Sequence, residues 1–212
     1  MRRPSAAARG CSGNAIGNEA GADLIDGAEA RFNALENYEV TLRSTPANGE
    51  PFECGYCYRK PGWIRMDFVR PHAGAVLSYN PETGKLLLWP FGFHTFPKLT
   101  LGLDHPLIQG PQGHRIERTD LGSLLANVRQ LGASGSARVI GDESVGERAA
   151  RHVVVEGGPG CAVSGVHRYR LWLDETTGLP IKVVSEDEHG ETIETVVMDD
   201  LRVDVQEPKP FV

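Results

Sequence analysis

Long apolar runs are missing from this sequence. No stretch approaches the roughly 18 to 20 consecutive apolar side chains that a membrane-spanning helix needs. A basic surplus is missing too, since 22 lysines and arginines are outnumbered by 28 aspartates and glutamates and are scattered along the chain. With a net charge of -6, nucleic acid is not an expected partner. The hydrophobic share of 40% is ordinary and predicts a folded domain with one core.

Cysteine is scarce, with four residues in the chain. Cys54 and Cys57 have the spacing of a thiol pair or half a zinc site. They lie inside the strand-like segment 52–58, where side chains three residues apart point to opposite faces. No second pair follows, so we predict structural cysteines, no metal and no cofactor.

The N-terminal segment lacks an apolar core of the kind found in signal peptides. Arg2 and Arg3 give the charged start of a signal, but 4–10 are small and polar. We therefore predict that 1–21 is a disordered leader and that 22–212 is a single domain. Lipidation of Cys11 is an alternative for this segment, although Arg9 interrupts the required pattern.

Two segments have helical spacing of apolar residues. The first begins at Asp23, a plausible N-cap, and continues to 36; the second occupies 120–131, with Asp120 as its cap. Both patterns are amphipathic, which favours helices laid over a sheet. Their apolar positions are Ile25, Ala28, Phe32 and Leu35 in the first helix, and Leu121, Leu124, Leu125 and Val128 in the second.

Most of the remaining chain alternates with a period of two and is divided by turn residues. The segments 80–84 and 174–178 each start on an Asx residue and end on glycine, as hairpin loops do. Neighbouring strands are therefore expected to pair antiparallel. The predicted strands are 38–45, 52–60, 62–69, 74–79, 85–90, 98–102, 137–142, 150–156, 166–174, 180–187, 191–198 and 200–205.

One face of the predicted sheet is apolar. In strand 62–69, Ile64, Met66 and Phe68 alternate with the charged Arg65 and Asp67. The same alternation recurs at Val76, Leu86 and Leu88, and at Tyr169, Leu171 and Leu173. The two helices and the Phe-rich segment 90–113 are the only elements available to cover this face, so we expect them to form a lid.

The order of these elements resembles the LolA-like outer-membrane lipoprotein-sorting proteins over 22–205. The specific parts are the basic corner Arg59-Lys60-Pro61 before an apolar strand and the hairpin Leu171-Trp-Leu-Asp-Glu-Thr-Thr-Gly-Leu-Pro180. The resemblance implies a mainly β (α+β) fold: a single curved antiparallel sheet forming an unclosed β-barrel, with helices covering its concave side. It also implies a carrier or sensor in the periplasm or cell envelope, without catalysis.

The resemblance further implies that a basic residue before the corner proline gates the lid. The family has arginine there, whereas this chain has Lys60 with Arg59 before it. A lysine lacks the planar fork of arginine, so either Arg59 substitutes for it or the gate works differently.

We accordingly predict an apolar groove for lipid acyl chains or lipoproteins, with envelope membrane proteins as further possible partners. Its predicted lining is Tyr56, Ile64, Met66, Phe68, Leu86, Leu88, Phe91, Phe93, Phe96, Tyr169 and Leu171. The predicted lid is Phe32, Leu35, Leu121, Leu124, Leu125 and Val128, with Arg59 and Lys60 as gating residues.

Other hypotheses stay open at this point. His94, His105 and His114 lie near Asp104, but their spacing matches no compact metal motif. No catalytic residues are predicted, since serine-nucleophile motifs are missing. A fully packed core without a groove is one alternative, and an envelope sensor that binds a protein through a sheet edge is another.

Overall fold

One antiparallel sheet organises the chain. The computed structural model describes residues 12–103, 105 and 116–212, with side chains from residue 18 onward. Its eleven strands lie in the order β6-β5-β4-β3-β2-β1-β11-β10-β9-β8-β7. Within the described ranges β6 and β7 are edge strands that do not pair with each other, so the barrel is unclosed, as predicted. The strands are β1 (Asn37–Pro46), β2 (Phe52–Arg59), β3 (Trp63–Arg70), β4 (Val76–Asn80), β5 (Lys85–Trp89), β6 (Leu99–Leu101), β7 (Ser136–Val145), β8 (Arg148–Glu156), β9 (Arg168–Asp174), β10 (Pro180–Glu186) and β11 (Thr192–Val203).

Two α-helices accompany the sheet in the described part of the chain: α1 (Ser12–Ala34) and α2 (Leu121–Ala133), the latter preceded by a 3₁₀ turn at Ile116–Arg118. The predicted cap of α2 is confirmed, because the Asp120 carboxylate accepts hydrogen bonds from the backbone N–H groups of Gly122 and Ser123. None of the helices described is both long and apolar enough to cross a lipid bilayer.

The last two predicted strands form one strand in the structure. Between the pairs Glu39–Arg202 and Thr41–Asp199, β11 has two residues where β1 has only Val40. Asp200 takes a positive φ of 53° at this bulge, a conformation that aspartate tolerates better than most residues. The Asp199-Asp200 pair therefore bends the strand without ending it.

Helix α1 begins at Ser12, eleven residues before the predicted cap at Asp23 and inside the segment predicted as a leader. Tertiary contacts hold this extension. The Asn18 side-chain oxygen accepts a hydrogen bond from the backbone N of Ala137 in β7, at 2.5 Å. A Cβ at Gly21 would lie 2.3 Å from the Ala137 carbonyl oxygen. The absence of a side chain at Gly21 thus lets α1 lie directly on the edge of β7.

Replacing Gly21 by alanine should destabilise the fold by about 1–3 kcal/mol, because the added methyl must displace the β7 backbone. The matched control is Gly27→Ala in the same helix, where no heavy atom lies within 4 Å of the added Cβ. That variant should gain about 0.5–1 kcal/mol, since alanine favours the helix over glycine. Chemical denaturation of the two variants tests this. Equal changes in the free energy of unfolding would contradict the close approach of α1 to β7.

The C-terminal tail covers the outer face of the sheet, which the sequence pattern did not reveal. Phe211 is 2% exposed and packs on Trp63, with ring centroids 6.0 Å apart. The Arg65 guanidinium donates to the Pro210 carbonyl at 2.6 Å, and Lys209 pairs with Asp67 at 2.8 Å. Burial lowers the pKa of Lys209, but the bond to Asp67 outweighs it, so the pKa lies above its ordinary value. Arg65 and Asp67 of β3 therefore bind the C-terminal tail.

Candidate functional site

The concave face of the sheet carries a continuous apolar surface under both helices. Residues directly opposite in neighbouring strands share a face, so Met66 and Leu77 align, and Leu88 aligns with Leu77 and Leu99. Val76 lies opposite Trp89 and Asp67, and hence on the outer face, unlike the prediction. The helices contribute to the same core Ile25, Ala28, Phe32, Leu121, Leu125, Val128 and Leu131, with Leu35 just after α1. Leu124 is only partly buried against this core.

Beneath the helices the face is tightly packed. Leu86, Leu125 and Leu171 are each 0% exposed, so no space as large as a water molecule borders them. Tyr56, Ile64, Met66 and Tyr169 are also buried there. A ligand can reach these predicted lining residues only if the helices move.

At one end of the concave face the cover is incomplete. We call this end the mouth and define it by Leu42, Phe52, Phe68, Leu88 and Leu99. The first four are half-buried and pack against the core, and Leu99 is 37% exposed. The mouth is thus an apolar strip, continuous with the buried face, that is accessible with both helices in place.

Tyrosine hydroxyls hold the start of α2. The backbone N of Leu121 donates to the Tyr38 hydroxyl at 3.1 Å, and the Tyr56 hydroxyl lies 3.2 Å from the Thr119 hydroxyl oxygen. Burial raises the pKa values of both phenols above their ordinary range, so they remain neutral. These polar contacts position the start of α2 in a surrounding that is otherwise apolar.

Lys60 holds the end of α1. Its Nζ donates to the Asn33 carbonyl at 2.6 Å, one of the last carbonyls of the helix, where a cation is also favoured by the helix dipole. Arg59 points elsewhere, with its guanidinium 4.8 Å from the Phe211 ring and 5.3 Å from the Trp63 ring on the outer face. Of the two predicted gating residues, the structure brings only Lys60 to the lid.

Replacing Lys60 by methionine should loosen α1 while keeping most of the side-chain volume. We expect a loss of about 1 kcal/mol, because a charged donor to a helix C-terminus is removed at an exposed site. Hydrogen exchange of the last turn of α1 should accelerate. Arg59→Met is the matched control and should leave that exchange unchanged. If Arg59→Met alone accelerates the exchange, Lys60 is not the residue that holds the end of α1.

The three predicted phenylalanines of segment 90–98 lie off the concave face. Phe93 packs edge-on against Trp89 of the outer face, with centroids 4.9 Å apart, and the Arg65 guanidinium sits 4.0 Å from its ring. Phe91 and Phe96 are 74% and 93% exposed. The sequence signal was apolar content alone, which does not indicate a side of the sheet. From the same segment, Leu101 is buried in the core and Leu103 packs against it.

The cysteine pair behaves as predicted for a strand. Cys54 belongs to the concave core, whereas Cys57 packs with Trp63 and Phe211 on the outer face. Both thiols are free, and burial raises the pKa of each to about 12. Neither thiol is therefore a thiolate at neutral pH.

Among the residues that the structure describes, no three His, Cys, Asp or Glu side chains lie close enough to hold a metal ion. His114 and Asp104, two members of the hypothetical histidine site, lie outside the described residues, as does Cys11.

An open antiparallel sheet with two helices on its concave face defines the LolA-like fold, and this chain has that fold. The MucB/RseB N-terminal domain family model matches residues 112–210, which include α2 and β7 to β11.

Solved structures are similar over most of this chain. The Mycobacterium tuberculosis lipoprotein LppX is similar with a TM-score of 0.55 and 11% identity, over 92% of this chain and 100% of that one. An uncharacterised conserved protein of Thermus thermophilus gives a TM-score of 0.50 and 12% identity, over 85% of each chain. The MucA/MucB complex structure of Pseudomonas aeruginosa gives a TM-score of 0.48 and 15% identity, over 88% of this chain and 58% of that one. A comparison with curated protein sequences gives no match.

Proposed function

We propose that this chain is a non-enzymatic binding or carrier protein of the bacterial envelope that holds an acyl chain of a lipid or lipoprotein on its concave face. The observation that carries this proposal is the mouth. Its half-buried apolar side chains continue through Leu77 and Met66 into the face under the helices, and Ser44, bonded to Glu194, is a polar neighbour opposite Phe52. The similarity of fold to a mycobacterial lipoprotein supports an envelope setting.

The energetics favour binding coupled to lid movement. Each methylene transferred from water to an apolar surface contributes about 0.8 kcal/mol, so ten buried methylenes supply about 8 kcal/mol. A ligand can open the helices only to the extent that it binds the open state more tightly than the closed one. Each polar contact of the helices, such as those of Tyr38, Tyr56 and Lys60, is weak beside this gain. Opening the helices also exposes the apolar side chains that they bury, so the acyl chain must replace those contacts as well.

Native mass spectrometry of the folded protein, after exposure to an envelope lipid extract, tests the proposal. We expect adducts with the masses of acylated lipids. Their absence, together with failure to bind a fluorescent fatty acid, would rule out the acyl-chain function.

The alternative function is an envelope sensor that binds a protein partner at a sheet edge. The observation that favours it is the family match over 112–210, which contains the edge strand β7. Helix α1 occupies the edge of β7 at Ala137, but Ile140 further along is 53% exposed, and the strand pairs with β8 on one side only. A partner recognised there would bind whether or not the mouth is intact.

A further inference from the structure

The loop between β5 and β6, residues 90–98, displays the two most exposed large apolar side chains in the described part of the molecule. Phe96 is 93% exposed and Phe91 is 74% exposed. The other exposed apolar residues, such as Ile140 and Val203, belong to different strands and expose 53% and 38%. Two phenyl rings in one short loop form a local apolar projection that packing of the domain does not require.

The base of this loop is tightly packed. The Phe93 ring stacks on His94 at 4.0 Å and contacts Trp89 at 4.9 Å, and the Arg65 guanidinium covers it at 4.0 Å. Beside this cluster lies an open surface pocket of about 320 Å³, lined by Leu87, Trp89, His94, Thr95, Phe96, Lys98 and Val212. The two exposed phenylalanines are thus carried by an anchored loop.

The charge around the loop is unlike that of the whole chain. No aspartate or glutamate occurs between Lys85 and Leu103, although the chain as a whole carries a net charge of -6. His94 and Lys98 are both exposed beside the phenylalanines. In the turns at this end of the sheet, Glu50 lies four to five strands from β6 and the segment 187–191 six to seven. The nearer carboxylates are paired with cations, Asp67 with Arg65 and Lys209, and Glu53 with Arg70. An apolar tip with a basic flank complements an anionic lipid surface.

The loop also adjoins the mouth along the chain. It begins directly after Trp89, the last residue of β5, and ends directly before Leu99, the first residue of β6. It therefore extends from the end of the strand pair that carries Leu88 and Leu99. A surface that the loop touches would therefore lie close to the accessible part of the apolar face.

We propose that the loop 90–98 docks this protein on an anionic lipid bilayer, with Phe91 and Phe96 inserted at the boundary of headgroups and acyl chains and Lys98 beside the phosphates. Docking in this way would bring the mouth to the bilayer. That last consequence rests on the proposed acyl-chain function, whereas docking itself does not.

Co-sedimentation with vesicles of phosphatidylcholine and phosphatidylglycerol tests the docking. The wild-type protein should sediment with them, and the double variant Phe91→Ser/Phe96→Ser should partition at least about tenfold less, because it loses both inserted rings. The matched control, Ile140→Ser/Val203→Ser, removes exposed apolar side chains elsewhere and should bind as the wild type does. A wild type that stays in solution, or equal binding by all three proteins, would overturn the proposal.

Two further variants test how the loop is oriented on the bilayer. Phe96→Trp should show a blue-shifted emission on binding and quenching by brominated acyl chains. Lys98→Gln should weaken binding about fivefold to the anionic vesicles and leave weak binding to pure phosphatidylcholine unchanged. A tryptophan at 96 that stays fully in water on bound vesicles would also overturn the proposal.

Binding of a fluorescent fatty acid in solution separates the two proposals. The Phe91→Ser/Phe96→Ser variant should retain it, because neither ring lies on the concave face. If the protein binds vesicles but no fatty acid, the acyl-chain function is refuted and the docking proposal is retained. If it binds fatty acid but no vesicles, only the docking proposal is refuted.

Discussion

Replacing Leu88 by glutamate is expected to weaken acyl-chain binding about 100-fold or more while the protein stays folded. Leu88 is half-buried at the mouth, so a carboxylate there can reach water in the free protein. A bound acyl chain would remove that water, and burying an uncompensated polar group costs about 2–3 kcal/mol or more. Titration with a fluorescent fatty acid measures the binding, and a thermal melt followed by circular dichroism shows whether the variant is folded.

The neighbouring residue supplies a matched control. Leu87 is also half-buried in β5, but it lies on the outer face, since it pairs with Ser78 and not with Leu77. Leu87→Glu should bind the fatty acid as the wild type does. If both variants bind normally, the concave face is not the acyl site. If Leu88→Glu loses fatty acid but retains a protein partner from envelope extracts, the edge-binding function gains support.

Replacing Phe211 by alanine is expected to lower the free energy of unfolding by about 3 kcal/mol, in the range for truncating a buried phenylalanine. Its ring is 2% exposed, contacts Trp63, and lies under the Arg59 guanidinium. Its carbonyl oxygen also accepts from the Ser78 hydroxyl, so loosening the tail leaves a buried donor without its partner. A fall of about 10 °C in Tm should accompany the loss.

Val212→Ala, at a side chain that is 60% exposed, should change stability by less than about 0.5 kcal/mol. Acyl binding by Phe211→Ala at a temperature where it is folded should match the wild type, because the tail covers the opposite face. Equal melting temperatures for the two variants would contradict a structural role of the tail.

Periodicity predicted the elements that local chemistry governs. The alternation of Ile64, Met66 and Phe68 identified the apolar face, and Asp120 identified the start of α2. The hairpin glycines Gly84 and Gly178 take the positive φ values that their turns require. These features depend on neighbours a few residues apart, which a sequence displays directly.

Several failures share one cause, contact between segments distant in the chain. The early start of α1 depends on Ala137, more than a hundred residues away, and the side taken by Phe93 depends on Arg65 in β3. Arg59 contacts the Phe211 ring, and Lys60 donates to the Asn33 carbonyl. Both partners are distant in sequence, so the sequence did not show which of the two basic residues contacts α1.

The sequence by itself therefore determined a lidded antiparallel sheet with one apolar face, because alternation and capping are local properties of the chain. Only the tertiary structure decided that the face is packed under the helices and accessible at the mouth. It also decided that Phe91 and Phe96 face water, because burial depends on which distant segments arrive at each surface, and a pattern of apolar residues does not encode that.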